Sequence, residues 1–158
     1  PKDVNAIVYK ATEIGYNAKL LRSVLDVNRD QPLKLIELLD RSVGRIKGKK
    51  IGLLGLTFKA GTDDIRESPA LIAIKELLME EAILNIYDPK AMDKVKKIFS
   101  HLNYLKSGQE VIDESDVILI LTEWPEFRNL DFGDKLVIDG KNLFFDTSRP
   151  KNYQGICW

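Results

Sequence analysis

The chain is poor in the residues that staple or metallate small proteins. Among its 158 residues there is one cysteine, Cys157, and one histidine, His101. A disulfide framework within the chain and a multi-cysteine metal site are therefore excluded. His101 has no ligand spacing around it, so no metal site is expected. An excess of charge is also lacking, with 24 basic residues against 24 acidic ones. Without a bulk basic field, nucleic acid and anionic membrane are not expected as partners. No apolar run approaches the roughly 20 residues of a membrane span. The opening PKDVNAIVYK lacks the uninterrupted apolar core of a signal peptide. Low-complexity tracts and internal repeats are missing as well. A soluble protein of a reducing compartment is expected, with a cytoplasmic location. The chain starts at Pro1 and runs straight into an amphipathic pattern, so a fragment of a longer protein is expected.

What is present divides near residues 44–48. Before that point the pattern is helical. Val4, Ile7, Val8, Ala11 and Ile14 fall at helical spacing, and Gly15 can close that helix in a left-handed conformation. A second helix is predicted over 18–42, with Leu21, Val24, Leu25, Leu35, Ile36 and Leu39 on one stripe. Asn28 and Pro32 share the stripe, and a bend is expected at the proline, which has no N–H to donate. About 25 residues of helix span roughly 37 Å. A helix so long with one apolar face needs another domain or subunit to cover it.

After residue 48, strands alternate with helices. Apolar runs at 50–54, 83–87, 116–121 and 135–139 predict strands, with a weaker one near 103–105. Helices are predicted over 69–81, 92–99 and 109–114. Ser68 is placed to cap the first of these, with Pro69 in its first turn. Alternation of this kind implies an α/β fold with a doubly wound parallel sheet. Near-continuous apolar strands fit a sheet covered on both faces.

Ligands of such a sheet bind beyond the carboxyl ends of its strands, and the 55–69 loop is the most informative segment there. IGLLGLTFKAG is a poor match to the dinucleotide fingerprint G-x-G-x-x-G. In its place stands a longer polar loop. Lys59 and Arg66 could hold phosphate charge, or Asp63, Asp64 and Glu67 could neutralise them on a solvated loop. Asp88, at the end of the second strand, could accept from a ribose or simply stop the strand as part of Asp-Pro. Trp124 and Phe127 could stack on a base or close the end of the sheet. These alternatives stay open at the level of pattern.

The runs GLTFKAGTDDIRESPAL, IYDPKA, DVILILTEWPEF and VIDGKN, in this order and spacing, resemble the carboxy-terminal domain of the UDP-glucose/GDP-mannose dehydrogenase family. PKDVNAIVYKA and LLRSVLDVNRDQP resemble that family's central dimerisation helix. The resemblance implies a helical dimerisation segment over 1–44 and a Rossmann-like UDP-sugar-binding domain over 45–158. It implies that an amino-terminal NAD-binding domain precedes this chain, and that the chain forms a homodimer through the long helix. Leu25 and Ile36 are expected at that interface.

The reaction implied is a double oxidation of a sugar-nucleotide C6 alcohol by NAD. It passes through a thioester on cysteine, which water then hydrolyses. The family cysteine belongs to a motif whose tail matches Pro1, Lys2 and Asp3, so it would lie upstream. Cys157 does not match it. By resemblance, Asp3 is the base that activates water and Lys2 lies beside the cofactor and the reacting centre. Arg66 reaches toward NAD, while Phe58 and Lys59 contact the sugar nucleotide. Lys141, where the family has arginine in D-G-R-N, is also a substrate contact. It keeps the charge but not the planar fork. The TEW-x-x-F run favours the UDP-glucose branch over the GDP-mannose and UDP-N-acetylmannosamine branches. A nucleotide-binding module that stands alone is the rival expectation from a different class.

Overall fold

A computed structural model describes residues 2–156. Pro1 and Cys157 lie outside the described residues. Helix α1 (Lys2–Glu13) ends where Gly15 takes φ +72°, and the Tyr16 N–H returns to the Ala11 carbonyl. Helix α2 (Lys19–Val43) runs 25 residues, unbroken across Pro32. The α/β part follows, with strands β1 (Lys50–Leu54), β2 (Ile83–Tyr87), β3 (Asn103–Tyr104), β4 (Val117–Ile120), β5 (Leu136–Asp139) and β6 (Asn152–Gly155). Between them lie α3 (Pro69–Met79), α4 (Met92–Lys96) and α5 (Gly108–Asp113), with one 3-10 helix, Pro125–Asn129, after β4. The Ser68 side chain caps α3 by accepting from the Ala70 N–H.

All six strands are parallel, in the order β3-β2-β1-β4-β5-β6. The chain reverses its winding between β1 and β4, which makes the ends of these two strands the switch point. Side chains of β4 alternate between two cores. Val117 and Leu119 join the cluster under α2, α3 and α4, whereas Ile118 and Ile120 join the cluster under α5 and the 3-10 helix. Both faces are thus covered, which is why the strands read as continuous apolar runs. Strand β6, with the sequence NYQG, carries no such run and has no expectation in the pattern. It exists because β5 offers it an open edge.

Helix α2 serves two cores. Leu35 and Leu39 are buried in the α/β core, with Ile36 packed partly against it. Leu21 and Leu25 instead pack on a small cluster of Val8, Ala11 and Ala18 from α1. Leu25 and Ile36 are therefore packed partly within the chain, and each keeps a half-exposed side. Leu20, Val24 and Val27 face outward, 77%, 40% and 53% exposed, and of these only Val24 belongs to the expected stripe.

Candidate functional site

The rim of the sheet is built around a buried carboxylate. Asp88, directly after β2, is 1% exposed. Its Oδ2 accepts from the Leu56 N–H at 2.7 Å and the Trp124 Nε1–H at 3.0 Å, and its Oδ1 accepts from the Lys90 and Ala91 N–H groups, both at 2.8 Å. One side chain thereby joins the ends of β1, β2 and β4. Trp124 and Phe127 are buried and close the end of the sheet. Gly55, at φ +93°, allows β1 and β4 to approach closely, since a Cβ there would stand 2.4 Å from the Thr122 Cβ.

From this base the polar loop folds over the rim. The Phe58 N–H donates to the Asp64 carbonyl, and the Asp64 N–H donates to Thr62 Oγ1. Arg66 clamps the Asp64 carboxylate side-on, with Nε 2.9 Å from Oδ1 and Nη2 2.7 Å from Oδ2. This guanidinium, helped by the Arg66 backbone N–H, holds the Asp64 carboxyl well below the usual carboxylate range. Asp63 is likewise lowered by its hydrogen bond and charge contact with Lys94, 2.6 Å away. Neutralisation on the loop is therefore real for Arg66. The clamp uses only the Nε–Nη2 edge, however, and the Arg66 side chain remains 85% exposed.

Beside that loop opens a cleft of about 520 Å³, lined by Lys2, Asp3, Val4, Phe58, Asp64, Arg66 and Glu67. Four of the expected site residues thus meet in one place. Asp3 lies in the first turn of α1, where the helix dipole favours a carboxylate. The other two expected residues are outside this lining. Lys59 is exposed on the loop. Lys141 lies across the rim, with Nζ 3.3 Å from Glu123 Oε2 and 3.5 Å from the Phe58 carbonyl oxygen. Among the described residues, no group of three or more His, Cys, Asp and Glu is placed to hold a metal ion.

Comparison with known proteins decides what family this rim belongs to. Residues 52–148 match the model of the UDP-glucose/GDP-mannose dehydrogenase family, UDP binding domain. The chain belongs to this family. A UDP-glucose 6-dehydrogenase of Haloferax volcanii is 38% identical over 148 residues, 90% of this chain and 34% of that protein. Among solved structures, a UDP-glucose dehydrogenase of Pyrobaculum islandicum superposes with a TM-score of 0.90 at 32% identity, over 100% of this chain and 37% of that one. A GDP-mannose dehydrogenase of Pseudomonas aeruginosa gives 0.82 at 28% identity, over 100% of this chain and 38% of that one. This chain therefore spans about a third of the length of these relatives.

As a UDP binding domain of that family, the crevice must be tested against a dinucleotide as well. It does not fit one. An NAD-binding sheet keeps an acid free at the end of its second strand for the ribose, and here Asp88 spends both oxygens on four internal donors. The long loop after β1 also replaces the tight glycine turn.

Three further residues shape the site without having been expected to contact a ligand, although Asp64 was expected as a possible neutraliser of Arg66. Asp64 shapes both Phe58 and Arg66. Asp139 is fully buried, and its carboxylate accepts from the Lys141 and Leu143 N–H groups and the Tyr153 hydroxyl. Glu123 pairs with Lys141. Asp139 shares with Asp88 the one available signal, an acid closing an apolar strand. Glu123 has no such signal, because its partner comes from another strand.

Proposed function

We propose that this chain is the sugar-nucleotide-binding and dimerising part of an NAD-dependent UDP-glucose 6-dehydrogenase. Such an enzyme oxidises UDP-glucose to UDP-glucuronate through a cysteine thioester, acting in the cytoplasm. Residues 1–44 form the dimerisation segment and residues 45–158 the nucleotide-sugar domain. NAD and the thiolate come from a domain that precedes this chain. No helix among the described residues is long and apolar enough to cross a membrane.

The observation that carries this reading is the convergence of Lys2, Asp3, Phe58 and Arg66 on one cleft, in a chain whose UDP binding domain is recognised by its family. In this reading Asp3 orients and deprotonates the water that hydrolyses the thioester, and Lys2 stands by the reacting centre. The unclamped edge of Arg66 reaches toward NAD. Phe58, Lys59 and Lys141 face the UDP-sugar. The exposed stripe of Leu20, Val24 and Val27 meets a second copy of the chain.

The likeness to a GDP-mannose dehydrogenase supports a second reading with a guanosine nucleotide. Calorimetry separates them. The chain is expected to bind UDP and UDP-glucose in preference to GDP and ADP, and weakly, because half of the closed site is absent. Equal affinity for the three nucleotides refutes the assignment, and preference for GDP transfers it to the other branch.

A further inference from the structure

Three strand ends meet at one ammonium group. Lys141 follows β5, and its backbone is fixed by Asp139, whose Oδ1 accepts the Lys141 N–H at 2.7 Å. Asp139 Oδ2 meanwhile holds the Leu143 N–H at 2.7 Å and the Tyr153 hydroxyl at 2.9 Å. From that fixed root the side chain crosses the rim. It reaches Glu123, beyond β4, at 3.3 Å and the Phe58 carbonyl, beyond β1, at 3.5 Å. Its side chain is 25% exposed, less than that of any other lysine or arginine paired here with an acid. Glu123 Oε2 is enclosed and accepts no hydrogen bond that meets full geometry. An enclosed carboxylate oxygen is costly unless a cation faces it, which favours the pairing even though the Glu123 side chain as a whole is 40% exposed.

A lysine differs from an arginine in lacking direction. Its charge is a point on a flexible stem, and an anion must immobilise that stem in order to use it. A facing carboxylate and a carbonyl, from the loops beyond β4 and β1, limit this freedom in advance. We propose that Glu123 is a positioning residue, which holds the Lys141 ammonium at the rim between β1 and β5 so that it meets the diphosphate of the bound nucleotide already oriented. This rests on the reading of Lys141 as a nucleotide-sugar contact and goes beyond it, since it assigns the part that makes a lysine serve there. A carboxylate beside a cation could also act merely by cancelling its charge. The two roles predict opposite signs. Loss of positioning weakens binding of an anion, whereas loss of neutralisation strengthens it.

The experiment is calorimetric titration of the chain with UDP, with thermal melts confirming that each variant folds. Glu123→Gln is expected to weaken UDP binding about fivefold, the size expected when one long side chain must be immobilised on binding. Glu123→Asp keeps the charge but withdraws the carboxylate, and is expected to weaken binding similarly. In a Lys141→Arg background the planar fork brings its own direction, so Glu123→Gln there should cost less than about twofold. UDP affinity unchanged or raised in Glu123→Gln overturns the proposal. An equal loss in the Lys141→Arg background overturns it too, because a merely structural residue would behave that way. A wild-type chain that binds no UDP refutes the nucleotide reading itself, and the proposal with it.

Discussion

Replacing Asp88 by asparagine separates a structural carboxylate from a ligand-binding one. Both oxygens of Asp88 face N–H donors, two on each. A carboxamide can satisfy only one of the two pairs. The other pair then meets an NH₂ group, so two hydrogen bonds to a charged acceptor become donor facing donor. Hydrogen bonds to a charged group contribute about 1.5–3 kcal/mol each. Relaxation recovers part of that loss, leaving an expected destabilisation of about 3–5 kcal/mol. The site is 1% exposed, so water cannot easily substitute. Against a typical domain stability of about 5–15 kcal/mol, the variant should still fold but with a much lower urea midpoint. Urea unfolding followed by circular dichroism reads this directly. The fluorescence of Trp124, whose indole N–H donates to Asp88, offers a local probe in the same samples. A loss below about 1 kcal/mol, with UDP affinity falling instead, would show that Asp88 serves the ligand and that the internal hydrogen bonds are incidental.

Two further outcomes test the loop and the helices. The Asp64 carboxyl is lowered from its ordinary 3.8, chiefly by hydrogen bonds from the Arg66 side chain and backbone. Its folded value is depressed, so the stabilisation it brings is complete above the ordinary range and is lost only as pH falls through the folded value. Carbon-detected titration should find Asp64 still ionised below the ordinary aspartate range, and Arg66→Ala should move its midpoint upward. An unchanged midpoint would deny the clamp. On α2, Val24→Asp together with Leu20→Asp should give monomers by light scattering that keep the wild-type circular dichroism spectrum, since both side chains face solvent in the isolated chain. A surviving dimer would place the contact elsewhere.

Local chemistry was enough for most of the fold. Apolar runs located β1, β2, β4 and β5, Ser68-Pro69 opened α3, and Gly15 closed α1, because each of these depends on neighbours within a few residues. The motifs likewise named Lys2, Asp3, Phe58 and Arg66, which the cleft brings together. Strand β6 was invisible, because NYQG is a strand only where β5 exposes an edge. Leu25 and Ile36 lie on one stripe by periodicity, yet one packs on α1 and the other on the sheet, since spacing reports a face and not what covers it. Tertiary structure decided the fate of the charges at the strand ends. Asp88 turned inward to four donors and Glu123 found Lys141 from the neighbouring strand, whereas the Asp64–Arg66 pair spans only two residues and was already an alternative in the sequence. A side chain's pattern tells which charge it carries, but its partner is set by which strand ends the folded sheet brings within about 3 Å.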